Sequence, residues 1–447
     1  MEQLKEKINV QNVIIAFIIL QPIIDIITGI SMNYTNITIT FGIIIRTVFM
    51  LFCVILGFIK ANKKYKIIMG TYFATLALYM IAFLANEYTK NGMNLILTQI
   101  KGLVKNFYLP IIVVALIPIF KEYNIQIHRK VLNISLLIYT FTIFICSITG
   151  NGFLTYKAGD KAGTVGLFYS ANEIGAILCL LSPFLVVDFI RKKVTVWDAV
   201  SLVLLVYAVL QLGTKVPYFG LIILIFAIIF KCIIEIKINK KNLYKKTGVF
   251  FTFLIAIYLI TGLTPVGENL TKIYGDVFLV TKEDFKSEGQ EQEEKPHEVT
   301  NFKDLEELKN VSVSGRNDFL KANSKKYKDG NALDKILGIG FIENKDGAYE
   351  ELKQTEMDYF DILFCNGILG VIIFAIPLIT FLVILVRKTI LKRKKIDLEE
   401  IYFLCMTGIV ALFAGHVLNA PAVSIYIAII LLRYDSKIRN MDNKEEV

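Results

Sequence analysis

The sequence predicts an all-α polytopic membrane protein of about twelve transmembrane helices, both termini cytoplasmic, with one large extracytoplasmic loop between helices 9 and 10. Three observations carry this. The 447 residues are 55% hydrophobic and 20% charged, whereas a soluble domain is ~45–50% apolar and ~25% charged. The apolar residues fall in runs of about 20, long enough for a helix to cross ~30 Å of hydrocarbon. Lys and Arg collect in alternate connections between those runs. The same composition excludes disordered, collagen-like and small disulfide-framework proteins.

The first run, 12–31, follows Lys5 and Lys7, as the core of a signal peptide would. It is too long for that role and lacks a small-residue cleavage site, so it reads as an anchor. The other runs are 38–59, 67–86, 102–120, 131–149, 166–189, 196–213, 216–234, 248–263, 362–386, 400–418 and 420–433. Only Thr214 and Lys215 separate the seventh from the eighth. The chain therefore divides into helices 1–9 (1–263), a loop (264–356), helices 10–12 (357–433) and a cytoplasmic tail (434–447).

Orientation follows from the basic residues. Lys60 to Lys66, Lys121 to Lys130, Arg191 to Lys193, Lys231 to Lys246 and Arg387 to Lys395 mark one side, which both termini share. The short loops opposite hold only Lys90, Lys101, Lys157, Lys161 and Lys215. The net charge of +10 is thus a topology signal, and nucleic acid is not an expected partner. None of the six cysteines lies in the large loop and none forms a C-x-x-C pair, so no disulfide framework or metal site is read from them.

The large loop begins with an acidic stretch, 282–300, expected to be solvated and disordered, with His297 inside it. Phe302, Leu305 and Leu308 have helical spacing over 302–311. Ser314-Gly315-Arg316, a helix over 317–328 and Leu337-Gly338-Ile339-Gly340-Phe341 follow, before Glu356, Asp358 and Asp361 lead back into the membrane.

Ionisable residues inside spans are costly and mark functional sites by default. Asp25 and Arg46 lie at matching depth below the outer surface and are expected to pair, as a register-fixing ion pair or as a substrate contact. Lys105 in span 4, Asn172 and Glu173 about two turns into span 6, and Lys215 at the turn before span 8 lie toward the same leaflet. His416 and Asn419 at the end of span 11, and Glu356 and Asp358 at the mouth of span 10, join them. This convergence predicts a site at the outer membrane–water boundary, not a path through the bilayer. Each residue also has a plainer reading. Asn172 and His416 suit interhelical hydrogen bonds, Glu356 and Asp358 a helix dipole, and Arg316 a loop-ordering salt bridge.

In order and topology, the pattern resembles the O-antigen ligase/polymerase family, the Wzy-like and WaaL-like membrane glycosyltransferases. The resemblance rests on Gly166–Gly175 with Asn172-Glu173, Gly213-Thr214-Lys215, the long loop, Ser314-Gly315-Arg316 and Leu337–Phe341. Glu356–Gly370 and Gly415-His416-Val417-Leu418 complete it. It implies a GT-C-like fold and an inverting, metal-independent transfer of oligosaccharide from undecaprenyl diphosphate, without cofactor. The place would be the outer face of the bacterial cytoplasmic membrane, among its lipids, with a flippase and a chain-length regulator as partners.

By that resemblance, Arg316, Lys215, Lys105 and Arg46 would face the diphosphate. Asn172, Glu173 and His416 would face glycan, and Glu356 or Asp358 would act as base. The chain has two departures: no His stands where the big loop returns to the membrane, and Lys215 stands where many members have Arg. The first favours a repeat-unit polymerase, with ligation to another acceptor as the alternative. A transporter or flippase would place its polar groups at the midplane. The first outer loop, Ser31–Ile37, has no carboxylate, which argues against the metal-dependent glycosyltransferases that carry a ligand there.

Overall fold

The computed structural model describes residues 2–35, 40–156, 161–191, 194–237, 243–274, 316–341, 354–391 and 396–445. The helices are α1 (Glu2–Tyr34), α2 (Phe41–Lys60), α3 (Lys63–Asn91), α4 (Ile96–Glu122), α5 (Arg129–Thr149), α6 (Ala171–Val186) and α7 (Asp188–Arg191). Next come α8 (Val196–Leu212), α9 (Lys215–Lys237), α10 (Leu243–Thr261) and α11 (Pro265–Tyr274). The last are α12 (Arg316–Asp329), α13 (Ala332–Leu337), α14 (Asp358–Leu391), α15 (Leu398–Phe413) and α16 (Pro421–Glu445). A two-stranded antiparallel hairpin, β1 (Phe153–Leu154) and β2 (Thr164–Gly166), pairs Phe153 with Gly166.

Each of the twelve predicted runs contains a helix. Among the described residues, eight helices are long and apolar enough to cross a membrane, or nine if α10 and α11, bent by 74°, count as one span. Of the rest, α8 and α15 have 17 and 16 residues, and α16 is charged in its second half. Both expected loop features, the acidic 282–300 and the helix over 302–311, lie outside the described residues. The helix expected over 317–328 is α12.

Burial separates interior helices from peripheral ones. In the apolar window of α4, 83% of residues are buried, and in that of α6 with α7 78%, against 22% in α3. The outward faces of α2, α3, α10 and α14 carry exposed Ile55, Ile67, Val249 and Ile376, the surface expected of helices in contact with lipid. At one end of the bundle, buried charges are matched. Arg191 forks onto Glu399 with two 2.9 Å bonds, Arg129 meets Asp188 at 3.0 Å, and Arg433 meets Glu400 at 3.0 Å. Such paired geometry lets buried carboxylates persist.

The other end carries the candidate site, and three local features differ there from the sequence expectation. The stretch from 166 to 170 is not helical: Gly166 turns the chain at φ 70°, and Ser170 caps α6 by accepting from Glu173 N at 3.3 Å. Asn172 and Glu173 therefore lie in the first turn of α6, not two turns inside it. α15 stops at Phe413, so His416 lies in the connection to α16 and not on a helix end. Finally, α14 begins at Asp358 and breaks at Gly367 (φ 65°). Three residues before the break, the Phe364 carbonyl accepts from Ile339 N at 2.8 Å. A side chain at Gly367 would strike the Ile336 carbonyl, so the returning loop segment packs directly on this kink.

That returning segment is held from a second side. Gln99 on α4 accepts from Phe341 N at 2.8 Å and donates to Phe341 O at 3.0 Å. Tyr79 donates to Asn366 O at 2.9 Å, with Leu337 O at 3.3 Å.

Candidate functional site

Two cavities open side by side at this end. The first, about 590 Å³, lies among α1, α2, α4 and the start of α6, and is lined by Asp25, Arg46, Lys101, Lys105, Glu173, Glu356, Asp361 and His416. The second, about 600 Å³, lies among the β-hairpin, α9, α11 and α15, and is lined by Tyr156, Lys161, Asn172, Lys215, Tyr274, Arg316 and Glu356. Glu356 and Ser170 line both.

Their charges differ. Among the described residues, the second cavity has three cations (Lys161, Lys215, Arg316) and a single carboxylate, Glu356. The first has three cations against four carboxylates. Only the second has a clear excess of positive charge, which suits an anionic group. Two of its cations sit over aromatic rings: Lys215 Nζ lies 5.7 Å from the Tyr274 ring centre and Lys161 Nζ 5.2 Å from that of Tyr156. Burial pushes the Tyr156 phenol up, against the opposing pull of Arg316, so it is neutral near pH 7. One wall is apolar and half-exposed, formed by Phe219 and Ile223 of α9 with Ile409 and Phe413 of α15.

The second cavity is shaped by long-range contacts. Asn269 on α11 accepts from Ala162 N at 2.8 Å and donates to Ala162 O at 2.7 Å and Gly213 O at 2.9 Å. Thr155 donates to Leu212 O at 2.7 Å. These bonds fasten the hairpin and α11 to the α8–α9 turn, where Gly213 adopts φ 72°. Lys161 and Lys215 come together as a result.

At the boundary, Arg316 Nη2 lies 3.2 Å from Glu356 Oε2 and His416 Nε2 lies 4.0 Å from the same oxygen. Glu356 (φ 55°) and His416 (φ 58°) both adopt the left-handed backbone conformation, which is uncommon outside glycine and clusters at functional sites.

The chain matches the family model described as "O-antigen ligase like membrane protein" over residues 7–438. The chain belongs to this O-antigen ligase-like family. It is a multi-pass membrane protein with a glycan-processing role, of a glycosyltransferase-like kind. No match was found among curated proteins.

In this O-antigen ligase-like chain, the residues singled out from the sequence divide between the cavities. Arg316, Lys215 and Asn172 line the second, Lys105, Glu173, Arg46 and His416 the first, and Glu356 both. Two of them have partners that limit their availability. Arg46 gives Nη2 to Asp25 at 2.5 Å and Nε to Gln21 at 2.9 Å, while Tyr139 donates to the other Asp25 oxygen at 2.6 Å. The expected Asp25–Arg46 pair thus forms, on the wall of the first cavity. Asp358 lines neither cavity. It is fully buried, and its two oxygens accept from the backbone N–H groups of His416, Val417 and Leu418 at 2.8, 2.9 and 2.7 Å. These three donors occupy both of its oxygens.

Sequence reasoning missed Lys161, Tyr156 and Asn269 as site residues. No local motif marks them, because they reach the cavity only when the hairpin closes on α11. Asp361 had a usable signal: it lies one turn after Asp358 at the mouth of α14.

Proposed function

We propose that this protein polymerises lipid-linked oligosaccharide repeat units, on the outer face of a bacterial cytoplasmic membrane, by inverting transfer from undecaprenyl diphosphate. The observation that carries the reading is the position of Glu356 between a cationic cavity and a mixed, carboxylate-rich one. The donor diphosphate occupies the cationic cavity against Arg316, Lys215 and Lys161, its polyprenyl chain running down the apolar wall between α9 and α15. The acceptor sugar occupies the first cavity, with Glu173, Lys105 and His416 around it.

Glu356 takes the proton of the acceptor hydroxyl. The hydroxyl oxygen then bonds to the anomeric carbon as the bond to the diphosphate breaks, and the electron pair leaves on the diphosphate. Because the diphosphate is already a good leaving group, stabilising its charge and aligning the two reactants supply most of what is needed. No metal enters this scheme. Binding of the diphosphate draws Arg316 away from Glu356 and leaves that carboxylate a stronger base.

A polymerase is favoured because Lys101 and Lys105, one helical turn apart on α4, give the acceptor cavity cations of its own. These suit an acceptor that also carries phosphate. Ligation to a different acceptor is the second reading, favoured by the family's description. Deletion of the gene separates the two. A polymerase leaves single repeat units on lipid, already exported; full-length polymer accumulating on lipid would instead assign ligation. Repeats trapped on the inner face would assign flipping and overturn both.

A further inference from the structure

Glu356 and His416 keep an unusual backbone conformation, and the structure shows what holds each of them. Asp361 brackets Glu356: its Oδ1 accepts from Thr355 N at 2.8 Å and Thr355 Oγ1 at 2.6 Å, and its Oδ2 from Met357 N at 3.1 Å. Asp358 holds His416 directly, through the backbone N–H groups of His416, Val417 and Leu418. Both carboxylates are buried, three residues apart on the first turn of α14, a spacing that puts them on one helix face. Each takes three donors, as a carboxylate can.

The two bracketed segments also touch. Gly415 adopts φ 63°, and a side chain there would strike the Glu356 carbonyl. The 415–416 backbone is therefore seated on the 356–357 backbone, with the helix mouth fastening both. Neither Asp358 nor Glu356's bracket at Thr355–Met357 contributes to the wall of the cationic cavity beyond Glu356 itself.

We propose that Asp358 and Asp361 are positioning residues, which fix Glu356 against His416 at the mouth of the acceptor cavity and thereby set the rate of proton removal. This rests on the reading of Glu356 as the base. Asp358 and Asp361 would then act on the catalytic step and leave the diphosphate's binding alone. A misplacement of about 1 Å can cost on the order of 10²-fold in rate.

The test uses the full-length protein in nanodiscs with a polyprenyl-diphosphate-linked repeat unit as both donor and acceptor. Asp358→Asn and Asp361→Asn should each lower kcat by about 10–100-fold, with donor affinity, measured by direct binding, within about twofold of wild type. Gly415→Ala leaves both carboxylates in place and pushes the same backbone, so it should reproduce that loss. The Asp358→Asn/Gly415→Ala double variant should lose no more than the worse single one, since the two act on one contact.

Folded Asp variants with near wild-type kcat, a loss confined to donor affinity, or full multiplication of the losses in the double variant would each overturn the proposal. Should the Asp variants fail to fold, Gly415→Ala with unchanged kcat overturns it alone. Glu356→Gln run alongside separates the two readings. Wild-type transfer in that variant removes the base itself, whereas an inactive Glu356→Gln beside fully active Asp variants removes only the positioning role.

Discussion

Arg316 Nη2 lies 3.2 Å from Glu356 Oε2, and so a cation of one cavity is paired with the carboxylate that faces both. The pair comes from α12 and from the segment leading into α14, which are 40 residues apart in the chain. In the proposed function it links donor binding to activation of the base.

Arg316→Ala should therefore lower transfer by about 10²–10³-fold, the usual cost of one charge-stabilising donor. Arg316→Lys should recover only part of it, because an ammonium lacks the planar fork that grips a diphosphate. Transfer in isolated membranes and polymer length in cells report both. Near-normal chain length in a stably produced Arg316→Ala protein would remove Arg316 from the site.

The Asp25–Arg46 pair should matter for stability more than for chemistry. Breaking it with Arg46→Ala leaves Asp25 buried beside Tyr139 without its counter-charge, at a cost of about 3–5 kcal/mol. The apolar pair Asp25→Leu/Arg46→Met should cost less than either single truncation. Thermal melting of the purified variants in detergent checks the order. A stable Arg46→Ala protein that has lost transfer would make Arg46 a substrate contact instead.

Asn269→Ala removes three hydrogen bonds that fasten the hairpin and α11 to the α8–α9 turn. At about 0.5–1.5 kcal/mol net each, the loss should loosen the cationic cavity. Donor affinity should fall by about tenfold or more, with a smaller change in the maximal rate. Titration of the variant with lipid-linked donor measures the first, and saturating transfer assays the second.

Gln99→Ala should release the Phe341 backbone, whose N–H and C=O are both satisfied by that one amide. Leaving buried backbone groups unpaired costs about 1–3 kcal/mol each. Hydrogen exchange should accelerate across 337–341 while α4 itself stays protected.

How legible was this in the sequence? The membrane class and the family were, because apolar runs, charge alternation and the order of short motifs are properties of the chain itself. Asp25 and Arg46 could be paired from depth alone, since helix rise fixes how far each residue lies from its helix end. Lys215, Arg316 and Glu356 could be grouped by side but not assigned to a cavity. Asp358 was legible as an acid at the mouth of span 10, yet its contacts depend on where residues 416–418 cross the start of α14. The early stop of α15 and the break at Gly367 were hidden for a similar reason. Each is set by backbone packed from a distant segment, as when the Ile336–Gly338 stretch lies against the kink. Lys161 and Tyr156 depend on hairpin closure through Asn269, more than 100 residues away.

The role of Glu356 as base is tested by the transfer rate of Glu356→Gln, measured with bound lipid-linked donor in the purified full-length protein. The substitution keeps the size of the side chain and removes its capacity to accept a proton. Transfer should fall by about 10²–10⁴-fold with donor binding retained. Transfer at the wild-type rate by a folded, donor-bound Glu356→Gln protein would contradict it.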